Sequence, residues 1–540
     1  MSFVRKLLTL AGATLVATGL VAPAVQTAAV ADQHGFQNTV VRMFNTEPFR
    51  PLLPGDTNEW GGGRLISMMF TGLVGYRLED AAPYNAMAKS IETKDSKVFR
   101  IKIHRGWKFH DGSEVKARNF VNAWNHVAYG PNKLRNNTFM ERIQGYADLN
   151  PASGTPTTDK LSGLKIINDY EFQVTLSVPL SIFPTMVGYW AFYPLPDSFF
   201  RDQEAWKRKP VGNGPYKFVE AVPNGHQKLT AFKGFKGEEK PRIKDLHYTV
   251  YPNTSVAYDA LVRGELDFME AMPYEKITSG QYKKDLPGRF TDRNFLLMQN
   301  LAFPSYKPGY DNPDLRKAVS MSIDRAELIK KVGGGQKAAD GFTIPGLEGY
   351  APGQCGELCT YNPAKARELF ARTGFQGPIE LHTNVESGAR TWLGPVCESI
   401  KTTLGVDCVT KETMSFREFR EAIVGKRMTG AYRSDWRADY PSIENFLTPL
   451  YKTGASSNDY GYSNPAFDAA LDKADRAPSK EAALGLYRDA ERLLVQDMPV
   501  VPLWQEWSAV GWSPRLRNVK VSVLTDIDIF KVRVVEPCDR

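Results

Sequence analysis

Helix signals and strand signals are interleaved along almost the whole of this chain, which favours a mixed α/β fold over a sandwich. Val98-Phe99-Arg100-Ile101-Lys102-Ile103-His104 alternates apolar and polar side chains, the period of a half-buried strand. Leu164–Ile167 and Glu171–Val178 read as a hairpin about Asn168-Asp169. Asn362-Pro363 opens a helix that Gly374 closes; proline is tolerated in a first turn, and glycine suits the position just past the end. Ser479 opens a longer helix, with Leu486, Ala490, Leu493 and Leu494 at helical spacing and Pro499 beyond it. Asp324 opens a short one that stops at Gly333-Gly334-Gly335.

The first residues read as an export signal. Arg5 and Lys6 precede an apolar run from Leu7 to Val25, and Ala29-Val30-Ala31 is a small-x-small cleavage pattern, so residues 1–31 are expected to be removed. The run is long enough to raise a membrane-anchor reading, but Pro23 and the cleavage pattern argue against it. The product is expected to be soluble and periplasmic or extracellular, associated with the cell envelope. About 509 residues remain, enough for roughly three domains and more than one core. The net charge of +8 is modest for this length, and the basic residues form no block, which argues against nucleic acid. Five cysteines suit an oxidising compartment. Cys355 and Cys359 stand four apart in a Pro/Gly-rich loop, and Cys397 and Cys408 flank an expected helix-to-strand turn at Thr402 to Val406. No histidine lies close in sequence to complete a metal set, so two local disulfides are favoured over metal or free thiols. Cys538 has no evident partner.

Arg433-Ser434-Asp435-Trp436-Arg437-Ala438-Asp439-Tyr440-Pro441 concentrates two arginines, two aspartates and two aromatic residues. Gly430-Ala431-Tyr432 before it reads as a strand, and Pro441 has no N–H for a ladder. A strand end running into a loop is where α/β proteins meet ligands. Alternation puts Arg433, Asp435 and Arg437 on one face, with Ser434 and Trp436 on the other. The plainer alternative is a solvated charged loop beside a core tryptophan.

Enzyme motifs mostly fail. There is no His-Glu-x-x-His, no Gly-x-Ser-x-Gly and no Walker-type phosphate loop. Ser113-Glu114-Val115-Lys116 and Lys452-Thr453-Gly454 match two elements of the penicillin-recognising serine hydrolases. The third, Ser-x-Asn, should lie between them, but the triplet Ser456-Ser457-Asn458 follows Lys452. No cofactor and no catalytic residue is expected.

Six segments in order resemble the oligopeptide- and dipeptide-binding proteins of ABC importers, the family 5 type of extracellular solute-binding protein. They are Phe70-Thr71-Gly72-Leu73, Trp107-Lys108-Phe109-His110-Asp111-Gly112, Gly212-Asn213-Gly214-Pro215-Tyr216, Gly264-Glu265-Leu266-Asp267, Asn312 to Ala326, and Asn464-Pro465-Ala466-Phe467-Asp468. The resemblance covers nearly all of the mature chain. It implies an α/β, two-lobed, periplasmic-binding-protein-like fold with an additional inserted domain, three domains in all. Domain I would comprise 32–76, 196–296 and 508–540, domain II 77–195 and domain III 297–507, with the ligand between domains I and III.

The resemblance also implies site residues. Trp436 and Asp439 fall on the family's Trp-x-x-Asp, whose aspartate holds a peptide's α-ammonium. Arg433, three before the tryptophan, falls where oligopeptide receptors face the ligand's carboxylate. Trp60-Gly61-Gly62-Gly63 falls where the family offers domain I backbone to the ligand. Those glycines permit close approach, or form only a flexible turn. Asp435 and Arg437 depart from the family pattern; they face either the cleft, where Asp435 would favour a basic ligand, or solvent. The implied partners are a peptide and the membrane permease subunits of an ABC importer, with the receptor a monomer. A receptor for a basic amino acid or another small zwitterion is the alternative.

Overall fold

A computed structural model describes residues 37–535. The export signal, its cleavage point and Cys538 lie outside these residues. No helix among them is long and apolar enough to cross a membrane.

The molecule is organised on one 11-stranded mixed sheet. From one edge its order is Cys408–Met414, Ile379–Asn384, Ala431–Arg437, Phe290–Ala302, Val500–Trp512, Phe268–Met269, Gln37–Asn45, Ile243–Val250, His226–Ala231 and Tyr216–Val222. Lys337–Ala338 pairs off this path with Val500–Trp512. The two central strands are 13 residues each and antiparallel. They run through both halves of the sheet, and their register breaks between Asn294 and Met298. Phe295, Leu296 and Leu297 on one strand then oppose Glu506 on the other, an insertion that bends the pair and re-aims its side chains. The expected boundary at 296/297 lies inside this break, and that at 507/508 lies in the regular pairing just before it.

A second sheet of four strands is ordered Ala88–Thr93, Val98–Ile103, Glu171–Thr175, Leu164–Asn168. The alternation seen in the sequence is realised: Phe99, Ile101 and Ile103 are buried and Arg100 is exposed. The helix Ala117–Ala128 covers this sheet, setting Phe120 and Trp124 on Phe172 at 5.8 and 5.6 Å between ring centres. The hairpin's second strand stops at Thr175, short of the expected Val178, because Leu176 and Ser177 turn their N–H groups to the carbonyls of Lys97 and Arg142.

The caps behave as the sequence suggests. Asn362, Ser479 and Asp324 each accept a backbone N–H at the start of Pro363–Thr373, Lys480–Asp497 and Arg325–Val332. The helix Arg390–Leu404 extends through Thr402, so the expected turn there is shorter than the sequence reading; Gly405 ends the helix in a left-handed conformation. Cys355–Cys359 and Cys397–Cys408 are both bonded. Mapping of the unreduced protein should recover both links, and opening the Cys397–Cys408 loop should cost about 2–3 kcal/mol in the chain-entropy model. Free thiols at all four positions would refute the pairing.

Residues distant in sequence interlock at two points. Asn213 is fully buried, accepts the Thr71 N–H at 3.1 Å and donates to the Thr71 carbonyl at 2.9 Å. His110 donates its backbone N–H to the Gly212 carbonyl at 2.8 Å, and its Nδ1 accepts the Gly212 N–H at 3.1 Å. A Cβ on Gly212 would lie 2.0 Å from the Met69 carbonyl oxygen, so only glycine fits. Asp267 ties three separated segments, accepting Arg42 Nη2 at 2.8 Å, Ser513 Oγ at 2.8 Å and Arg515 Nη1 at 2.9 Å. Burial pushes its carboxyl up, but the Arg42 hydrogen bonds outweigh that and hold it below the usual range.

Candidate ligand-binding site

A cavity of about 890 Å³ lies where the two halves of the large sheet face one another. This is within the range that encloses small ligands. The charge-rich stretch forms one wall. Ala431 and Tyr432 are buried and pair with Leu381 and His382 of the Ile379–Asn384 strand. Its pairing with Ala431–Arg437 stops there, although the strand runs on to Asn384, while Phe290–Ala302 pairs with the other edge all the way to Arg437. From Arg433 to Arg437, one backbone edge therefore has no strand partner among the described residues. Such an edge can accept an extended chain as one more strand.

Asp439 follows the end of this edge. A short 3₁₀ turn, Ile443–Phe446, supplies Asn445, whose Oδ1 accepts both the Trp436 Nε1–H at 3.2 Å and the Asp439 N–H at 2.8 Å. Its Nδ2 donates to Asp439 Oδ2 at 3.0 Å. One amide thus fixes both residues of the Trp-x-x-Asp motif, and both line the cavity. Burial pushes the Asp439 carboxyl up to about 7, against the pull of the Asn445 amide and the Arg437 guanidinium. Among the described residues, no lysine, arginine or histidine nitrogen makes an ion pair with it.

The other expected residues divide. Arg433, Asp435 and Arg437 all line the cavity, as does Trp60. Arg433 is not free, however. Its Nη1 pairs with Asp435 Oδ1 at 2.7 Å, its Nη2 donates to Asn384 Oδ1 at 2.7 Å, and it lies over the Phe419 ring. A ligand carboxylate there would meet Asp435 as a competitor for the guanidinium. Arg437 stacks on Trp60 and donates to the Leu524 carbonyl at 2.8 Å. Gly61 and Gly62 are not cavity-lining, and the glycine run is not a flexible turn. It forms the buried first turn of the helix Trp60–Met69, capped by Glu59, which accepts the Gly62 N–H at 2.9 Å. Glycine is needed there for packing, since a Cβ on Gly61 would lie 2.5 Å from the Thr46 carbonyl oxygen.

Six further acids line the cavity that the sequence reading did not single out: Glu47, Glu59, Glu270, Glu386, Asp459 and Glu506. Glu59 and Glu270 are each pushed up to about 7 by burial. Glu270 pairs with Arg64 at 2.7 Å. Glu506, from the register break, accepts Trp504 Nε1–H at 2.7 Å and the Tyr274 hydroxyl at 3.0 Å. Arg417 reaches across the cleft to the carbonyls of Pro48 and Phe49 at 3.3 Å.

The serine-hydrolase motifs do not converge. Ser113 is exposed in a turn, its hydroxyl donating to Asp111 at 2.6 Å, and Lys116 pairs with Asp169 at 2.6 Å. Lys452 is engaged elsewhere, by Glu141 at 2.9 Å and Asp472 at 3.2 Å.

The chain is 25% identical over 478 residues to the oligopeptide-binding protein OppA of Bacillus subtilis (strain 168), covering 85% of this chain and 86% of that protein. The structure of the Escherichia coli murein tripeptide binding protein MppA superposes with a TM-score of 0.83 at 22% identity, covering 93% of this chain and 99% of that one. Haemophilus influenzae OppA in complex with the peptide RPPGFSPFR superposes at 0.84 with 20% identity, covering 93% and 99%. The family described as bacterial extracellular solute-binding proteins, family 5 middle, matches residues 82–458, and the chain belongs to that family.

Proposed function

We propose that this protein is an exported receptor that captures peptides between two lobes and delivers them to the permease subunits of an ABC importer. The observation that carries the reading is the unpaired backbone edge from Arg433 to Arg437, with the half-buried Asp439, which makes no ion pair among the described residues, beyond its end. An extended peptide supplies both complements, a ladder of backbone groups and a terminal ammonium, without any need to read its side chains. OppA and MppA, named for binding oligopeptides and a murein tripeptide, support the reading. A single amino acid satisfies Asp439 but leaves most of the 890 Å³ cavity and the strand edge unmatched.

In this reading domain I (32–76, 196–296 and 508–540) and domain II (77–195) form one lobe, and domain III (297–507) forms the other. The paired central strands are the hinge, since they are the chain's two passages between domains I and III. Closure buries ligand and facing surfaces together. The receptor works as a monomer in the periplasm or at the cell surface. Mass spectrometry of ligands released from the natively purified protein should find short peptides. Small-angle scattering should show a smaller radius of gyration with peptide than without. Release of only single amino acids would refute the peptide reading, and an unchanged radius at saturation would refute closure.

A further inference from the structure

We propose that the cleft holds a second cation site, formed by Glu506 and Asp435, that takes the ammonium or guanidinium of a basic ligand side chain. It rests on the peptide reading and deepens it to peptides with a basic residue.

The charges lining the cavity are unequal in a telling way. Each arginine there already has an acceptor: Arg417 the carbonyls of Pro48 and Phe49, Arg420 Asp459 at 3.2 Å, Arg433 Asp435, and Arg437 the Leu524 carbonyl. The acids Glu59, Glu386, Asp439 and Glu506 line the same space and make no ion pair among the described residues. Counted by ion pairs among the described residues, Arg417 is the one cavity-lining arginine without a carboxylate, so unpaired acids outnumber unpaired arginines there. Asp439 accounts for one cation, the ligand's terminal ammonium.

Glu506 is the best-built place for another. It is nine-tenths buried, at 8% exposure, in the register break between the two long strands. Its carboxylate is fixed by two donors, Trp504 Nε1 and Tyr274 Oη, and neither supplies a charge. Asp435 adds its negative field, and its pairing with Arg433 leaves the corner net negative. Burial, reinforced by Asp435, pushes the Glu506 carboxyl up to about 7, as expected of a charge without its partner.

The surrounding wall suits a long cationic side chain. Tyr274 and Trp392 line the cavity beside Glu506, and Trp392 meets Trp504 edge-on at 5.5 Å between ring centres. Aromatic faces pack the methylene stem and favour the charged end. Trp392 is fully buried, and its Nε1–H has no acceptor among the described residues. The corner is distinct from the Asp439 anchor, which is held by Asn445 after the end of the Ala431–Arg437 strand.

The test is calorimetry on alanine-based tripeptides and tetrapeptides carrying lysine or its uncharged analogue norleucine at each position in turn, with arginine against citrulline as a second pair. One position should bind lysine at least tenfold more tightly than norleucine in the wild type. Glu506→Gln should cut that ratio below threefold, and Asp435→Asn should cut it part of the way. Comparison of the arginine and lysine arms identifies guanidinium or ammonium as the preferred group. Should Glu506→Gln not fold, Asp435→Asn, at a more exposed position, carries the same prediction. If lysine and norleucine peptides bind equally at every position, or if the ratio survives both substitutions, the subsite is refuted while peptide binding stands. If no peptide in the series binds, the peptide reading itself fails.

Discussion

Asp439→Asn should weaken peptide binding by roughly 30-fold or more while leaving the fold intact. A carboxylate facing an α-ammonium in a water-excluding site is a charge-assisted pair, and truncating one partner typically costs about 2–5 kcal/mol, with each 1.4 kcal/mol about tenfold. Asparagine keeps the shape and the Asn445 contact and removes only the charge. N-acetylation of the peptide should cost the wild type a similar amount and the variant much less, because both changes delete the same interaction. The groups facing Asp439 are the Asn445 amide, the Arg437 guanidinium, the Glu444 carboxylate and the hydroxyls of Tyr76 and Tyr189. Together with burial they leave its carboxyl at about 7, up from 3.8. A raised carboxyl pKa stabilises the folded form at low pH, and that stabilisation is lost as pH rises through about 7. The ligand-free asparagine variant should therefore be more stable than wild type at pH 8, by up to about 4 kcal/mol, with the gap closing toward pH 4. Peptide affinity of the wild type should rise between pH 5.5 and 7.5, as the carboxylate forms without help from the ligand. If free and acetylated peptides bind the wild type equally, Asp439 is not the amine anchor.

The sequence revealed the elements better than their assembly. Caps such as Asn362 and Ser479 act locally, within one turn, so they are legible from neighbouring residues alone. The same holds for the Cys397–Cys408 bridge, which joins the middle of the helix Arg390–Leu404 to the start of the strand after it. The sheet order is not local. Gln37–Asn45 lies beside Ile243–Val250, and two strands some 200 residues apart, Phe290–Ala302 and Val500–Trp512, form the centre. Only the family resemblance could suggest discontinuous domains.

The site was legible in the same uneven way. Trp436 and Asp439 stand in a recognisable pattern. Asn445, which positions both, carries no signal beyond lying six residues later in a loop. Glu506 did leave one, a lone acid between Trp504 and Trp507 in an otherwise largely apolar strand, where a charge needs a reason to be buried. The glycines after Trp60 are expected either to let a ligand approach the backbone or to form a flexible turn, whereas the structure uses their lack of a side chain to pack the helix against Thr46. Arg433 was read as a free cation because sequence alternation shows that Asp435 shares its face, but not that the two bond.

Arg142→Ala should be the most destabilising single change to the closed arrangement outside the hydrophobic cores, because Arg142 belongs to one proposed lobe and its partners Glu444 and Asp475 to the other, and it should also loosen the ligand site. Arg142 is buried where residues 135–142 pack on residues 440–475. Its Nε donates to Asp475 Oδ2 at 2.7 Å and its Nη2 to Glu444 Oε1 at 3.0 Å. Tyr440 donates to the other oxygen of Glu444 at 2.6 Å, and Tyr487 donates to Asp475. Lys452–Glu141 and Arg135–Asp459 flank this cluster. Removing the guanidinium leaves two carboxylates buried together, which typically costs about 3–5 kcal/mol. Burial already pushes the Glu444 carboxyl up, and with Arg142 gone it rises further. The loss should therefore be largest near pH 8 and shrink as pH falls and Glu444 takes up a proton. Adding Glu444→Gln to the variant should recover part of the lost stability, because the second carboxylate then lacks a like-charged neighbour. Tyr440 and Glu444 flank Asp439 and Asn445 on the same loop, so the cluster also holds the amine anchor in place. Peptide binding by Arg142→Ala should fall even under conditions where the variant is fully folded. Denaturant titration at pH 5.5 and 8, with calorimetry on the same samples, measures both effects. An Arg142→Ala variant as stable as wild type at pH 8 would show that water already reaches Glu444 and Asp475, and that this contact does not fasten the two parts of the molecule together.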